Sequence, residues 1–463
     1  MAPDILFYSL LIEFAVVFLL SRGNWLAPSV VFVGVFLVAA FDLTLMQDYW
    51  AVRLSPKTVF VVLIGTGSFA AAAELVKRAI RVRAGSAPTT HRPPIRRTTI
   101  RLTPTWTAIL CAVYIFTIWS VLAYVQETAS SLGATGGLTE LIGYYNDVSK
   151  RSLADVLPPT WLRALHSFCI TSGYVWAFSV VDSAVHERRI AVGSCALFGL
   201  SLMAAFSTGS RGDAISLLIS LVVLYVLSVR RKDRRLTRKV YAIAFAALLL
   251  VALTFQSAAG LVGRDSGEFG GLEYFSIYLG APLLNLDQWI AADWPDRLVW
   301  GQETFHTLYS GLGRALGADA LQYDTVRPFT SANGHATGNV GTAFFDLFHD
   351  FGLAGVIAFS ALMGCVMAIL AARVDRRVGG VDPLTEVVYV FMLFLLARSF
   401  FANSWLSAVV SLTFVRMLVS WWVLFKFFGR PRATLNTGPI GVGTGSPVVR
   451  IPGVNSAGRA SAL

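Results

Sequence analysis

The chain has 463 residues, of which 55% are hydrophobic and only 14% are charged, and its mean hydropathy is +0.64. Soluble globular domains carry many more charged residues, so this composition excludes a soluble enzyme and predicts an integral membrane protein. The formal net charge of +11 also raises the question of an acidic partner such as nucleic acid.

Apolar segments long enough to cross a bilayer as helices recur along almost the whole chain. Such a helix needs roughly 17 to 25 residues, because hydrocarbon cannot satisfy backbone polar groups. The predicted spans are residues 3–21, 27–45, 58–76, 105–125, 164–185, 190–206, 214–229, 240–260, 352–372, 384–399 and 404–428. We therefore expect an all-α bundle of about eleven transmembrane helices, which occupies residues 1–428.

Lysine and arginine are concentrated in four segments, which fall on one side of the membrane if the spans alternate. These segments are 77–101, 186–189, 230–239 and 373–377. Because positively charged loops are retained in the cytoplasm, we expect the amino terminus outside and the carboxyl terminus inside. The same rule explains the net charge, so no nucleic-acid partner is predicted. It also places 126–163 and 261–351 outside.

The cysteines and the carboxyl-terminal tail provide no catalytic signal. All four cysteines lie inside apolar spans without metal-ligand spacing, so we expect neither a structural zinc site nor a disulfide framework. No cofactor is predicted. Residues 429–463 are rich in glycine, proline, serine and threonine without periodicity, which predicts a disordered cytoplasmic tail.

The sequence STGSRGD at 207–213 interrupts the apolar pattern between two spans, on the predicted outer side. Gly209 is suited to end the first helix, and Ser210 or Asp213 to cap the second. An arginine beside a helix amino terminus can bind phosphate, so we expect Arg211 and Ser210 to form an anion site. The alternative is that Arg211 only reaches the membrane interface or pairs with Asp213. The motif leaves both explanations open.

The outer segment 261–351 is too long for a passive connection and is expected to fold as a lid over the membrane. Its cations and histidines are candidates for binding phosphate and moving protons: Arg264, Arg314, Arg327, His306, His335 and His349. A single loop histidine is more often structural than catalytic, so the collection carries more weight than any one member.

Three stretches together resemble a known family. They are the span ending in TGSRG, the stretch YFSIYLGAPLLNLD, and NVGTAFFDLFHDFGLAGV, which leads into the next span. In this layout, from about 58 to 428, the chain resembles the Wzy-type oligosaccharide repeat-unit (O-antigen) polymerases. Their superfamily also holds the WaaL-type O-antigen ligases.

The resemblance implies a GT-C-like membrane glycosyltransferase of the bacterial cytoplasmic membrane, with its active site outside the cytoplasm. Members use undecaprenyl-pyrophosphate-linked glycans as donor and acceptor and need neither metal nor nucleotide sugar. The family's arginines carry over to Arg211 and, less directly, to Arg264, Arg314 and Arg327. A flippase and a chain-length-regulating protein are the implied protein partners.

The chemistry of such a transfer can be stated from the residues. A pyrophosphate leaving group needs cations on its oxygens as charge develops, which Arg211 can supply. The attacking sugar hydroxyl must lose a proton to a base. His335, in the polar, glycine-flanked stretch SANGHATGN, is our first candidate, and His306 and Glu303 follow. Direct displacement of this kind inverts the anomeric centre.

Two other functions fit the same hydropathy. A ligase would differ only in its acceptor, which no motif identifies. A transporter for lipid-linked sugars would also bind phosphate, but it typically places paired charges near the bilayer midplane. The charged residues inside the predicted spans are few and form no inverted repeat; those that stand out are Glu13, Asp42, Arg398 and Arg416. The size of the outer segment favours an enzyme.

Overall fold

The computed structural model describes residues 2–86, 98–151, 156–232, 240, 242–243, 246–247, 271–292, 299–318, 327–375 and 382–431. The helices within them are α1 Ala2–Leu20, α2 Pro28–Leu45, α3 Pro56–Ser86, α4 Pro104–Ser131, α5 Leu138–Arg151, α6 Thr160–Asp182, α7 Val192–Phe206, α8 Arg211–Lys232, α9 Gly271–Leu279, α10 Ala281–Ala291, α11 His306–Leu316, α12 Ala343–Val374, α13 Pro383–Ala397, α14 Ser404–Val409 and α15 Leu412–Phe428. A π-helical turn, Ser183–Glu187, follows α6. Four short strands make two antiparallel pairs: β1 Thr98–Ile100 with β4 Gly429–Pro431, and β2 Thr330–Ala332 with β3 His335–Gly338.

The helical membrane character predicted from composition is confirmed. Within the described residues, seven helices are long and apolar enough to cross a membrane, and α7 and α13 are shorter apolar helices. The predicted span 240–260 lies almost wholly outside the described residues, so the count of about eleven stays a prediction. The predicted span 404–428 is divided, because Ser411 accepts a hydrogen bond from the Phe414 amide and starts a new helix there.

The described parts of the basic segments lie together at one end of the bundle, which we call the basic end. Arg231 pairs with Glu386, and the Lys232 ammonium donates to the Val185 carbonyl. Lys77 and Arg230 line one cavity of about 250 Å³ there. The β1–β4 pair joins the segment before α4 to the start of the predicted tail. The remaining tail, 432–463, lies outside the described residues.

Helix α12 is two helices that fold back on each other at Gly352. This glycine has φ 63° and ψ −159°, a conformation that residues with a β-carbon avoid. In a straight helix, residues eight apart are separated by about 12 Å. Here the rings of Phe351 and Phe359 are 5.1 Å apart, and a β-carbon on Gly355 would lie 2.8 Å from the Leu347 carbonyl oxygen. Residues 343–351 and 353–374 therefore form a helical hairpin.

The first arm of this hairpin, residues 343–351, enters the bundle. The Phe344 ring stacks on Phe36 of α2 at 4.8 Å and covers Gly65 of α3. At 1.5 Å per residue, both positions lie about 13 Å from the helix ends opposite the basic end. The chain thus descends to membrane depth, returns to the surface and then spans the membrane from Gly352. The predicted span 352–372 begins at this turn.

We call the end of the bundle opposite the basic end the site end. Helix α10, part of the outer segment, holds that segment to the site end. Asp287 accepts hydrogen bonds from the Ser55 amide and hydroxyl at 2.8 and 2.6 Å and from the Thr58 hydroxyl at 2.6 Å. It therefore satisfies donors at the start of α3. The Asn285 amide donates to the carbonyls of Thr337 and Val340 and so fixes the β2–β3 hairpin.

We predict that Gly65→Ala destabilises the protein. A β-carbon there would lie 2.4 Å from Phe344 Cε1, so the re-entrant arm must shift. Overpacking of this kind costs about 1–3 kcal/mol, which exceeds the roughly 1 kcal/mol that alanine gains over glycine in a helix.

Gly67→Ala is the matched control on the same helix, because the nearest atom to its new β-carbon would be Glu13 Oε1 at 4.0 Å. Thermal unfolding in detergent should show a lower midpoint for G65A and an unchanged or higher one for G67A. Equal midpoints for the two variants would contradict the placing of Phe344.

We also predict which end faces the cell exterior. In a variant without the four native cysteines, a cysteine at Phe329 on the outer segment should react with a membrane-impermeant maleimide in intact cells. One at Ile190, beside the basic end, should react only after permeabilisation. Both native side chains are well exposed, at 71% and 77%. The reverse labelling pattern would invert the orientation, and labelling of both in intact cells would refute the two-ended arrangement.

Candidate functional site

The turn between α7 and α8 has the backbone that its sequence predicts. Gly209 adopts φ 74°, the left-handed conformation that ends α7. The Asn146 side chain on α5 donates to the Thr208 carbonyl at 2.8 Å and holds the turn. Ser210 donates its hydroxyl to the Asp213 carboxylate at 2.7 Å, and α8 begins at Arg211. The Gly209 conformation, the Asn146 hydrogen bond and the Ser210–Asp213 hydrogen bond therefore fix the start of α8.

Arg211 points into the protein. It is buried, and its Nη2 donates to the Tyr274 hydroxyl of α9 at 2.9 Å. Its guanidinium carbon also lies 5.9 Å from the Tyr274 ring centroid. The 207–213 turn and the outer segment thus meet at Arg211. Whether Arg211 binds pyrophosphate stays a prediction.

A second arginine stands beside the same helix start. Arg398, directly after α13, has an Nη1 that would be 4.0 Å from a β-carbon on Gly212, and it interacts electrostatically with Asp213. Within the part of the chain that the structure describes, its guanidinium forms no hydrogen bond or ion pair; its contacts are the rings of Phe394 and Phe401, both at 5.8 Å. Sequence reasoning noted Arg398 only as a charge inside a span.

Aromatic rings connect the two arginines. Tyr274 contacts Tyr278 with ring centroids 5.3 Å apart, and Tyr278 stacks on Phe401 at 5.7 Å. Tyr274 contacts Arg211 and Phe401 contacts Arg398. The result is a line of rings between two guanidinium groups, in which cation–π attraction helps to hold both cations in an apolar setting.

Arg398 lines a cavity of about 620 Å³ at the site end. One part of its wall is polar and includes His166, Thr208, Asp213, Thr307, Arg398, Ser404, Ser407 and Ser411. The other part is apolar and comes mainly from α13 and α15: Ile170, Phe391, Phe394, Leu395, Phe414 and Met417. A cavity with a cation, hydroxyl groups and an apolar wall suits a ligand with an anionic head and a lipid tail.

Arg327, a predicted pyrophosphate ligand, is held by carboxylates instead of facing this cavity. Its Nη2 pairs with Asp346 and lies 3.6 Å from Glu303 Oε2. The rings of Trp289 and Phe345 pack against its guanidinium at 4.8 and 4.4 Å. This environment already compensates the charge of Arg327.

Glu303, a candidate base, belongs to the same carboxylate group. Burial raises the pKa of Glu303 above its usual range, the charge of Asp346 raises it further, and Arg327 opposes both. The amides of Glu303 and Thr304 donate to Asp350 at 3.4 and 2.6 Å, which holds the loop before α11.

The three histidine candidates of the outer segment make different local contacts, and His349 Nδ1 lies 3.5 Å from Asp350 Oδ1. His306 has both ring nitrogens engaged, Nδ1 with the Glu303 carbonyl at 3.0 Å and Nε2 with the Thr307 hydroxyl at 3.1 Å. His335, in β3, stacks on Tyr49 of the turn between α2 and α3 at 3.9 Å. Arg264 lies outside the described residues, as does the side chain of Arg314. The catalytic roles of these residues stay predictions.

No group of histidine, cysteine and carboxylate side chains able to hold a metal ion occurs among the described residues. No family model, no curated protein and no solved structure matches this chain. The resemblance to the Wzy-type polymerases therefore rests on the motifs quoted from the sequence.

We predict that Glu303→Gln stabilises the protein at neutral pH. A carboxyl whose folded-state pKa is raised favours folding only while it is protonated, and this contribution is lost as pH rises through the folded pKa. The amide removes the cost of the buried charge. The gain in thermal midpoint should be present at pH 7 and disappear below the unfolded-state pKa of about 4.3.

The control is Glu127→Gln, an exposed glutamate at the site end of α4, which should leave the midpoint unchanged at both pH values. If E303Q lowers the midpoint at pH 7, the pairing with Arg327 outweighs burial and the sign of this prediction is wrong.

Proposed function

We propose that the chain is a membrane glycosyltransferase that polymerises undecaprenyl-pyrophosphate-linked oligosaccharide repeat units at the outer face of the bacterial cytoplasmic membrane. The observation that supports it most is Arg398. This cation lines a 620 Å³ cavity beside the first turn of α8; its guanidinium forms no hydrogen bond or ion pair within the described residues, and its electrostatic interaction is with Asp213. A cation held this way favours an anionic ligand.

The shape of the cavity wall supports a lipid-linked anion over a free one. The apolar residues of α13 and α15 can contact a polyprenyl chain, while Arg398 and the hydroxyl groups of Thr208 and Ser404 contact its phosphates. The amino terminus of α8 adds a partial positive charge on the same side.

In this proposal Arg398 acts on the leaving group and Arg211 has a positioning role. When the bond between the anomeric carbon and the pyrophosphate breaks, negative charge develops on the phosphate oxygen. Arg398 stabilises that charge directly, and Arg211 holds Tyr274 and α9 in place through its hydrogen bond to the Tyr274 hydroxyl. No metal or nucleotide sugar is required by this scheme. The flippase and chain-length-regulating partners implied by the family resemblance belong to the same proposal.

Two alternatives share these features. A ligase of the WaaL type would use the same donor site with another acceptor. A lipid-linked-sugar transporter is favoured by the re-entrant arm 343–351, because interrupted helices at membrane depth are typical of transporter sites. The experiment therefore has to separate transfer from transport.

We predict that the purified chain extends lipid-linked oligosaccharides isolated from cells that lack it, and that Arg398→Lys and Arg211→Lys reduce this activity about 100-fold. Lysine keeps the charge but loses the planar fork. Arg53→Lys, at an exposed arginine of the turn between α2 and α3, is the control and should behave as the wild type. Glycan length on gels and release of undecaprenyl pyrophosphate measure the reaction.

Protein abundance and a symmetrical size-exclusion peak must be retained in each variant. Wild-type activity in R398K would contradict the role of Arg398. If vesicles containing the wild-type chain move the lipid-linked glycan across the bilayer without extending it, the transporter alternative replaces the polymerase. Transfer to a lipid A acceptor in place of chain extension would favour the ligase.

A further inference from the structure

We infer that His166 is the general base that takes the proton from the attacking sugar hydroxyl, an inference that rests on the proposed function. His166 lies in the second turn of α6 and lines the same cavity as Arg398. It was not among the sequence-predicted candidates, because it sits inside an apolar span.

The protein fixes the position of the imidazole proton. Nε2 lies 2.8 Å from the Ala204 carbonyl oxygen and 3.1 Å from the Ser207 hydroxyl oxygen. A carbonyl can only accept, and Ser207 donates its own proton to that same carbonyl at 2.7 Å. Both neighbours therefore act as acceptors toward Nε2, which must carry the hydrogen.

This arrangement leaves Nδ1 with a lone pair. Within the described residues, Nδ1 has no hydrogen-bond partner, whereas the two nitrogens of His306 are both engaged. A neutral imidazole held in one tautomer by the end of α7 is pre-oriented to accept a proton from a bound hydroxyl.

The charged groups that face His166 suit this role. Asp213, in the first turn of α8, interacts electrostatically with the imidazole. Arg398, after α13, lines the cavity with it and is placed for the leaving group. From α7 come the Ala204 carbonyl and the Ser207 hydroxyl. One cavity thus holds a base and a separate cation.

The proposed step forms one glycosidic bond and breaks one bond to the pyrophosphate. The acceptor hydroxyl oxygen forms a bond to the anomeric carbon of the donor while its proton moves to His166 Nδ1. The bond from that carbon to the pyrophosphate oxygen breaks, and its electron pair leaves with undecaprenyl pyrophosphate next to Arg398. The imidazolium then releases its proton to solvent. The anomeric centre is inverted.

The test uses the extension assay with isolated lipid-linked oligosaccharides, measured as a function of pH. For the wild type, the rate should fall on the acid side as His166 becomes protonated. His166→Gln can still donate to the Ala204 carbonyl, so its fold should be retained. Its rate should be about 100-fold lower, and the acid limb should be absent. Added imidazole should restore part of the activity of His166→Ala.

His186→Gln, His335→Gln and the wild type are the comparisons that decide the result. His186→Gln, at the basic end, should keep both the rate and the acid limb. Should H166Q keep them too, the inference is overturned while the role of Arg398 stands. Loss of the acid limb in His335→Gln instead would make His335 the base and also overturn it. A wild type that does not extend the glycan under any condition removes the proposed function together with this inference.

Discussion

Hydrocarbon offers no hydrogen-bond partners to the backbone, and the remaining structure follows from this constraint. Among the described residues, irregular backbone lies mainly at the two ends of the bundle. At the site end, the Gly209 turn and the helix start at Ser411 both border the candidate cavity, since helix ends are where polar groups become available to a ligand. The re-entrant arm is the exception at depth, and there the Ala343 amide is satisfied by the Ser399 carbonyl at 2.8 Å.

The sequence predicts the long helices well, because hydrophobic length is a local property that needs no knowledge of neighbours. The basic segments also predict correctly which loops share an end. Two features escape this reasoning. The helix start at Ser411 depends on one hydroxyl within an apolar stretch, which average hydropathy hides. The arm 343–351 falls in the predicted outer segment, and only its packing on Phe36 and Gly65 shows that it enters the bundle before the turn at Gly352.

The residues of the candidate site also differ in whether the sequence alone reveals them. Arg211 is found from the sequence because it marks a break in the apolar pattern. Arg398 and His166 lie inside apolar segments and share a cavity only because α6 packs against α13, with Tyr174 and Phe391 in contact at 5.3 Å. Conversely, Asn285 and Asp287 belong to a stretch that carries the family resemblance. Asn285 binds the β2–β3 hairpin, and Asp287 binds the start of α3. Both residues thus have structural contacts that account for their presence in this stretch.

The re-entrant arm also constrains how the protein is assembled. A nine-residue helix is too short to insert into a bilayer alone, so residues 343–351 must enter a space prepared by other helices. The helices that receive it, α2 and α3, are synthesised almost three hundred residues earlier. Throughout that interval, the surface around Phe36 and Gly65 has no Phe344 to cover it. The outer segment therefore completes the site end late in biosynthesis, after most of the bundle has entered the membrane.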